Sequence, residues 1–83
     1  MQPIRQLLNR IRWDQEFGRG TFELGYYDRV EQRIIRVPFE RLSFEPAQDL
    51  FRVTDLEGVT HTIPYHRIRE VHRNGALIWQ RPG

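Results

Sequence analysis

Val37-Pro38-Phe39-Glu40-Arg41-Leu42 returns later in the chain as Ile63-Pro64-Tyr65-His66-Arg67-Ile68, with apolar, proline, aromatic, arginine and aliphatic positions all in register. Only the fourth position changes its chemistry, from Glu40 to His66. Each copy follows an apolar stretch that reads as a strand, and a proline ends a hydrogen-bonded ladder where its missing N–H does least harm. The repeat therefore predicts two similar corners in one small fold. In the packing reading both corners bury their aromatic and aliphatic residues and leave their arginines in solvent. The second corner adds a titratable imidazole, His66, beside an always-charged guanidinium, Arg67. Such a pair suits an oxyanion.

Outward from the corners, Phe22, Leu24 and Tyr26 alternate along one face of a strand that begins after the turn Gly18-Arg19-Gly20. By the same parity Asp28 sits at the edge of the core, where a half-buried carboxylate needs a partner, usually arginine. A turn near Val30 to Gln32 leads into Ile35, Val37 and Phe39 and closes a first hairpin. Ser43 to Asp49 contains Pro46, has little periodicity and reads as a loop. Phe51 and Val53 start another strand, which Leu56-Glu57-Gly58 returns into Val59 to Ile63. Asn74-Gly75 supplies the positive φ angles of a type I′ turn between Ile68–Arg73 and Ala76–Arg81. A two-residue loop sets His72 opposite Leu77, Val71 opposite Ile78 and Glu70 opposite Trp79.

Ile4, Leu7, Leu8 and Ile11 follow the spacing of one apolar helix face, with Pro3 suited to the first turn. Arg5, Asn9 and Arg12 form a polar stripe on the outer side, solvated or lining a phosphate path. These elements predict a single α+β domain over residues 1–83: an N-terminal helix packed on a small antiparallel sheet or curled barrel of about six strands in hairpins.

Five Phe, three Tyr and two Trp must supply much of the core of an 83-residue chain. The absence of cysteine excludes disulfides and thiolate metal sites and fits a reducing compartment. No apolar run approaches the roughly 18 residues of a membrane span, so the expected setting is soluble and cytoplasmic. All thirteen cations are arginine, against eleven carboxylates and a formal charge of +2. Arginine pairs its donors with phosphate oxygens, although GC-rich coding gives the same bias. Because the arginines are dispersed, a basic stripe has to be made by folding.

Leu8-Asn9-Arg10-Ile11-Arg12-Trp13-Asp14, Tyr27-Asp28-Arg29, Ile63-Pro64-Tyr65-His66-Arg67-Ile68 and Trp79-Gln80-Arg81 together resemble the RNA cyclic group end recognition domain, a small family widespread in archaea. The resemblance spans nearly the whole chain except Glu45 to Gly58. It implies an RNA partner, specifically 3′ ends carrying a 2′,3′-cyclic phosphate, and an association with RNA-repair enzymes.

Such an end presents one negative charge on two oxygens beside a terminal base. Arg67 can grip the oxygens in a bidentate manner and His66 can add a donor. Asp28 can orient either of them, and Arg29 can supply a second phosphate contact. Trp13, Tyr27 or Tyr65 can stack the base, with Tyr65 better read as core because its counterpart is Phe39. Two rival functions stand beside binding. A phosphodiesterase can use His66 with His61 or His72 as acid and base, yet His61 reads as a satisfied core or edge histidine and His72 as solvent-facing. A protein-interaction adaptor can use the hairpin edges. The spacings match no metal-ligand frame, and no cofactor is expected.

Overall fold

The computed structural model describes residues 2–82. Helix α1 (Ile4–Trp13) follows Pro3 and buries Ile4, Leu7 and Leu8, the face anticipated from their spacing. Seven strands follow among the described residues: β1 (Phe22–Asp28), β2 (Arg33–Pro38), β3 (Leu42–Glu45), β4 (Leu50–Thr54), β5 (Thr60–Pro64), β6 (Ile68–Arg73) and β7 (Ala76–Gln80). They make a four-stranded sheet in the order β2-β1-β6-β7 and a three-stranded sheet in the order β3-β4-β5, with every pairing antiparallel. The fold is α+β with two sheets and no closed barrel.

The repeated phrase is where the chain changes sheets. Pro38 ends β2, Phe39–Arg41 forms a 3-10 turn, and Leu42 opens β3 in the other sheet; Pro64 ends β5, Tyr65–Arg67 forms a 3-10 turn, and Ile68 returns the chain to the first. The two prolines have nearly the same extended backbone, φ −61° and ψ 142° against φ −67° and ψ 151°. In each corner the amide of the aliphatic residue donates to the carbonyl of the aromatic one.

The apolar alternation of β1 directs Phe22, Leu24 and Tyr26 into the core, and both sheets contribute to it through Phe51, Ile68 and Val71. A chain of ring contacts crosses between the layers: Phe22–Phe39 at 5.5 Å, Phe39–Phe44 at 5.3 Å, Phe44–Phe51 at 6.1 Å and Phe51–Tyr26 at 5.7 Å between centroids. These spacings lie within the range of favourable aromatic pairs. Trp79 closes one side of the core, and its indole Nε1 donates to the Gln2 carbonyl at 2.6 Å, tying the segment before α1 to β7.

Three expectations from sequence need correction. The segment read as a loop contains β3, in which Leu42 and Phe44 alternate with Ser43 and Glu45 before a 3-10 turn at Pro46–Gln48. Four residues are too few for alternation to stand out. In the last hairpin, Asn74 and Gly75 have φ of 50° and 82°, as the type I′ turn requires. His72 does face Leu77, but a bulge between Val71 and His72 then sets Val71 opposite Trp79 and Glu70 opposite Gln80. That shift buries the indole against Val71 and leaves Ile78 outside. Finally, the His72 side chain is only 11% exposed, not solvent-facing.

Phe51 has no exposed surface; its ring meets Tyr26 of the other sheet and Phe44 of its own. Its truncation to alanine is expected to cost about 3–5 kcal/mol, against a total stability of roughly 4–12 kcal/mol for a chain of this size. Urea denaturation is expected to show a large fall in midpoint, whereas Leu56→Ala at an exposed turn leaves the midpoint nearly unchanged.

Candidate functional site

The second corner is surrounded by hollows with basic walls. Its 3-10 turn joins β5 of one sheet to β6 of the other, and its successive side chains line different spaces. His66 lines a hollow of about 320 Å³ with Ile4, Arg5, Asp49, Tyr65 and Arg81. Arg67 lines another of about 340 Å³ with Asp28, Arg29, His61 and Thr62 among its walls. The imidazole and guanidinium that adjoin in sequence therefore do not form a joint grip. What unites this corner is its backbone.

The His66 carbonyl accepts two guanidinium hydrogen bonds, from Arg69 Nη1 at 2.8 Å and from Arg81 Nη1 at 2.7 Å. Arg69 stands on β6 just past the corner. Arg81 follows β7 and continues the hairpin ladder by donating its amide to the Arg69 carbonyl at 2.8 Å. Two cations thus occupy facing cross-strand positions, an arrangement that ordinarily destabilises a sheet. Among the described residues arginine pairs with carboxylate from Arg5 to Asp49, Arg10 to Asp14, Arg33 to Glu31, Arg36 to Glu23 and Arg52 to Glu45, and neither Arg69 nor Arg81 joins such a pair. Burial, and then the neighbouring Arg69 charge, hold the Arg81 guanidinium below its ordinary pKa.

Arg69 and Arg81 also line a hollow of about 580 Å³, together with Tyr27, Arg33, Ile34 and Glu70. The Arg69 guanidinium lies 5.9 Å from the Tyr27 ring centroid, within cation–π range. Glu70 turns its Oε1 toward His72 Nδ1, 4.0 Å away. The hollow therefore combines two unpaired-by-carboxylate guanidiniums with a half-buried aromatic ring.

The remaining candidates take definite places. Asp28 Oδ1 accepts the amides of Val30 at 2.8 Å and Glu31 at 3.0 Å, closing the β1–β2 turn, and this engages the carboxylate oxygen expected to orient His66 or Arg67. Arg29 shares its hollow with Arg67, whose Nε is buried without a hydrogen-bond partner. Trp13 stands at the end of α1, 71% exposed, with the Arg12 guanidinium 4.8 Å from its ring centroid. Tyr65 is buried, as its match to Phe39 implied.

His61 is a satisfied edge histidine: its Nε2 lies 2.8 Å from Asp55 Oδ2. That hydrogen bond, with those from the amides of Val59 and Glu57, keeps the Asp55 carboxyl below its ordinary pKa despite the opposing effect of desolvation. His61 and His66 line separate hollows, and His72 lies on β6 beside Glu70. The described geometry does not gather a pair of histidines into one acid–base site.

The family model of the MJ1316 RNA cyclic group end recognition domain matches residues 1–81. The chain belongs to this family. Its description names RNA ends with a cyclic group as what the domain recognises, in keeping with the resemblance carried by the second corner and by Trp79-Gln80-Arg81. No solved structure matches the chain. No helix among the described residues is long and apolar enough to cross a membrane.

Arg69 and Arg81 were not singled out from sequence. The regular hairpin register sets Arg69 opposite Gln80; the bulge moves Arg81 into that place. A like-charged pair across a hairpin, where local rules disfavour it, is the signal that the corrected register supplies.

Because Asp28 closes the β1–β2 turn, Asp28→Ala is expected to lower stability by about 1.5–3 kcal/mol, the scale of hydrogen bonds to a charged group. Asp28→Asn, which keeps an amide-accepting oxygen, recovers much of that loss in chemical denaturation.

Proposed function

We propose that this domain binds RNA 3′ ends that carry a 2′,3′-cyclic phosphate, with the phosphate between Arg69 and Arg81 and the terminal base against Tyr27. The observation that carries this reading is the convergence of both guanidiniums on the His66 carbonyl, neither of them in an ion pair among the described residues, although the Glu70 carboxylate shares their hollow. One nitrogen of each fork is spent on the carbonyl, which fixes the planes while the other N–H groups stay available for an oxyanion. Fixing two forks in advance reduces the ordering cost of binding.

A cyclic phosphate has one charge and two unesterified oxygens, so one fork for each oxygen matches it. A 3′-phosphate carries more charge and lacks the ring, and a 3′-hydroxyl has no terminal phosphate. The ring therefore sets both the number of oxygens and their direction. His66 flanks Arg81 in the adjoining hollow and can donate to the terminal ribose or phosphate. Arg67 and Arg29 add positive potential on the other side of the corner. Strand cleavage through attack of a ribose 2′-hydroxyl leaves this cyclic end, so the module belongs in RNA repair or processing, beside the enzymes that open or join such ends.

Matched oligoribonucleotides ending in cyclic phosphate, 3′-phosphate and 3′-hydroxyl test the assignment by fluorescence anisotropy. The cyclic end is expected to bind tightest, with affinity falling as salt rises. Arg69→Gln or Arg81→Gln weakens cyclic-end binding by about tenfold or more, while Arg52→Gln, paired with Glu45 at 3.0 Å, leaves it unchanged. The cyclic ring is expected to be recovered intact after binding. Equal affinity for all three ends rejects end recognition, and ring opening by the purified domain assigns an enzyme instead.

A further inference from the structure

The polar stripe of α1 does not point away from the sheets. Arg5, Asn9 and Arg12 line a cavity of about 310 Å³ whose inner wall is aromatic, made by Phe39, Phe44 and Tyr65. Its walls include two arginines and no carboxylate. Arg5 is held in its wall by an ion pair to Asp49 at 3.5 Å and a hydrogen bond to the Pro46 carbonyl at 3.2 Å. Arg12 has no described carboxylate partner and stacks on Trp13 at 4.8 Å. An aromatic recess under a cationic rim is the composition of a site for single-stranded nucleic acid: base against ring, backbone against guanidinium.

The cavity adjoins the hollows at the second corner, with which it shares walls. Arg5 and Tyr65 line both this cavity and the His66 hollow, while Arg81 lines both the His66 hollow and the large one containing Arg69 and Tyr27. The three hollows therefore lie side by side, with Tyr27 in the first, Arg81 and Arg5 at the shared walls and Arg12 in the last. This row passes over the second corner and ends at the first, since Phe39 and Phe44 flank the first corner's passage into β3. Five arginines edge it, Arg33, Arg69, Arg81, Arg5 and Arg12, against two carboxylates, Glu70 and Asp49.

We infer that the recess between α1 and the second sheet is an upstream base site, which takes an unpaired nucleobase from one of the two nucleotides preceding the RNA terminus while Arg5 and Arg12 hold the backbone. The inference rests on the end site proposed above and extends it: the ligand is a single strand of at least two nucleotides, threaded from the recess to Arg69 and Arg81, not an isolated terminal phosphate. Base stacking tolerates any base, so this site lengthens the footprint without reading sequence. A duplex that continues to its last base pair cannot place a base in the recess, which makes a single-stranded 3′ overhang the preferred partner.

The test compares a 2′,3′-cyclic mononucleotide with dinucleotides, trinucleotides and tetranucleotides bearing the same end, using wild type and Arg12→Gln. Parallel oligonucleotides carry 2-aminopurine at the second or third nucleotide from the end. Wild type is expected to gain about tenfold or more in affinity by the trinucleotide, with the fluorescence of one 2-aminopurine position quenched by stacking. Arg12→Gln is expected to lose most of that gain and the quenching, and circular dichroism of this exposed helix variant checks that it remains folded. Affinity independent of length, or a length gain with neither quenching nor dependence on Arg12, overturns the upstream site even when cyclic ends are still preferred. Loss of end preference with the length gain and quenching retained overturns the end site and leaves the upstream site standing.

Discussion

Each corner depends on one constraint: the proline must end a ladder at the place where the next side chain drops into the core. Pro38 and Pro64 adopt the same extended geometry, and Phe39 and Tyr65 then turn inward beneath it. Without disulfides, a chain of this length needs one core shared by both sheets. The ring contacts from Phe22 through Phe39, Phe44 and Phe51 to Tyr26 show how that sharing is achieved. A corner with a small residue in place of the aromatic would still turn, but it would leave a gap between layers that are packed against one another.

The same geometry makes the second corner chemically different from the first. A 3-10 turn pointing out of the core exposes a backbone carbonyl, and His66 O becomes the acceptor on which Arg69 and Arg81 meet. Cross-strand arginines repel, and burial raises the cost of the Arg81 charge. The neutral His66 carbonyl joins the two guanidiniums without cancelling their charge, so positive potential is concentrated at the second corner. Asp28 illustrates the opposite case: its oxygen accepts two turn amides, so its negative charge serves the local backbone.

Much of the fold was legible because its signals are local. The i, i+3, i+4 spacing of Ile4, Leu7 and Leu8, the alternation of Phe22, Leu24 and Tyr26, and the Asn74-Gly75 turn each depend on backbone geometry within a few residues. The site was less legible because neighbours in sequence can diverge in space. His66 and Arg67 adjoin in a tight turn, where successive side chains leave in different directions, and so they face separate hollows. Arg69 and Arg81 became partners only through a bulge that buries Trp79 against Val71. The benefit of burying an indole, a nonlocal term, decided that register.

The sequence alone determined the α+β class, the two corners, the helix face and the family to which the chain belongs, since each is written in patterns of residue type along a short stretch or a whole-chain motif. The tertiary structure alone decided that the corners are crossings between two sheets, that β3 exists, and which arginines stand together. Charge is the reason for that last division. Thirteen dispersed guanidiniums are equivalent along the chain, and only the packing of strands against a helix determines which find a carboxylate and which are left facing one another.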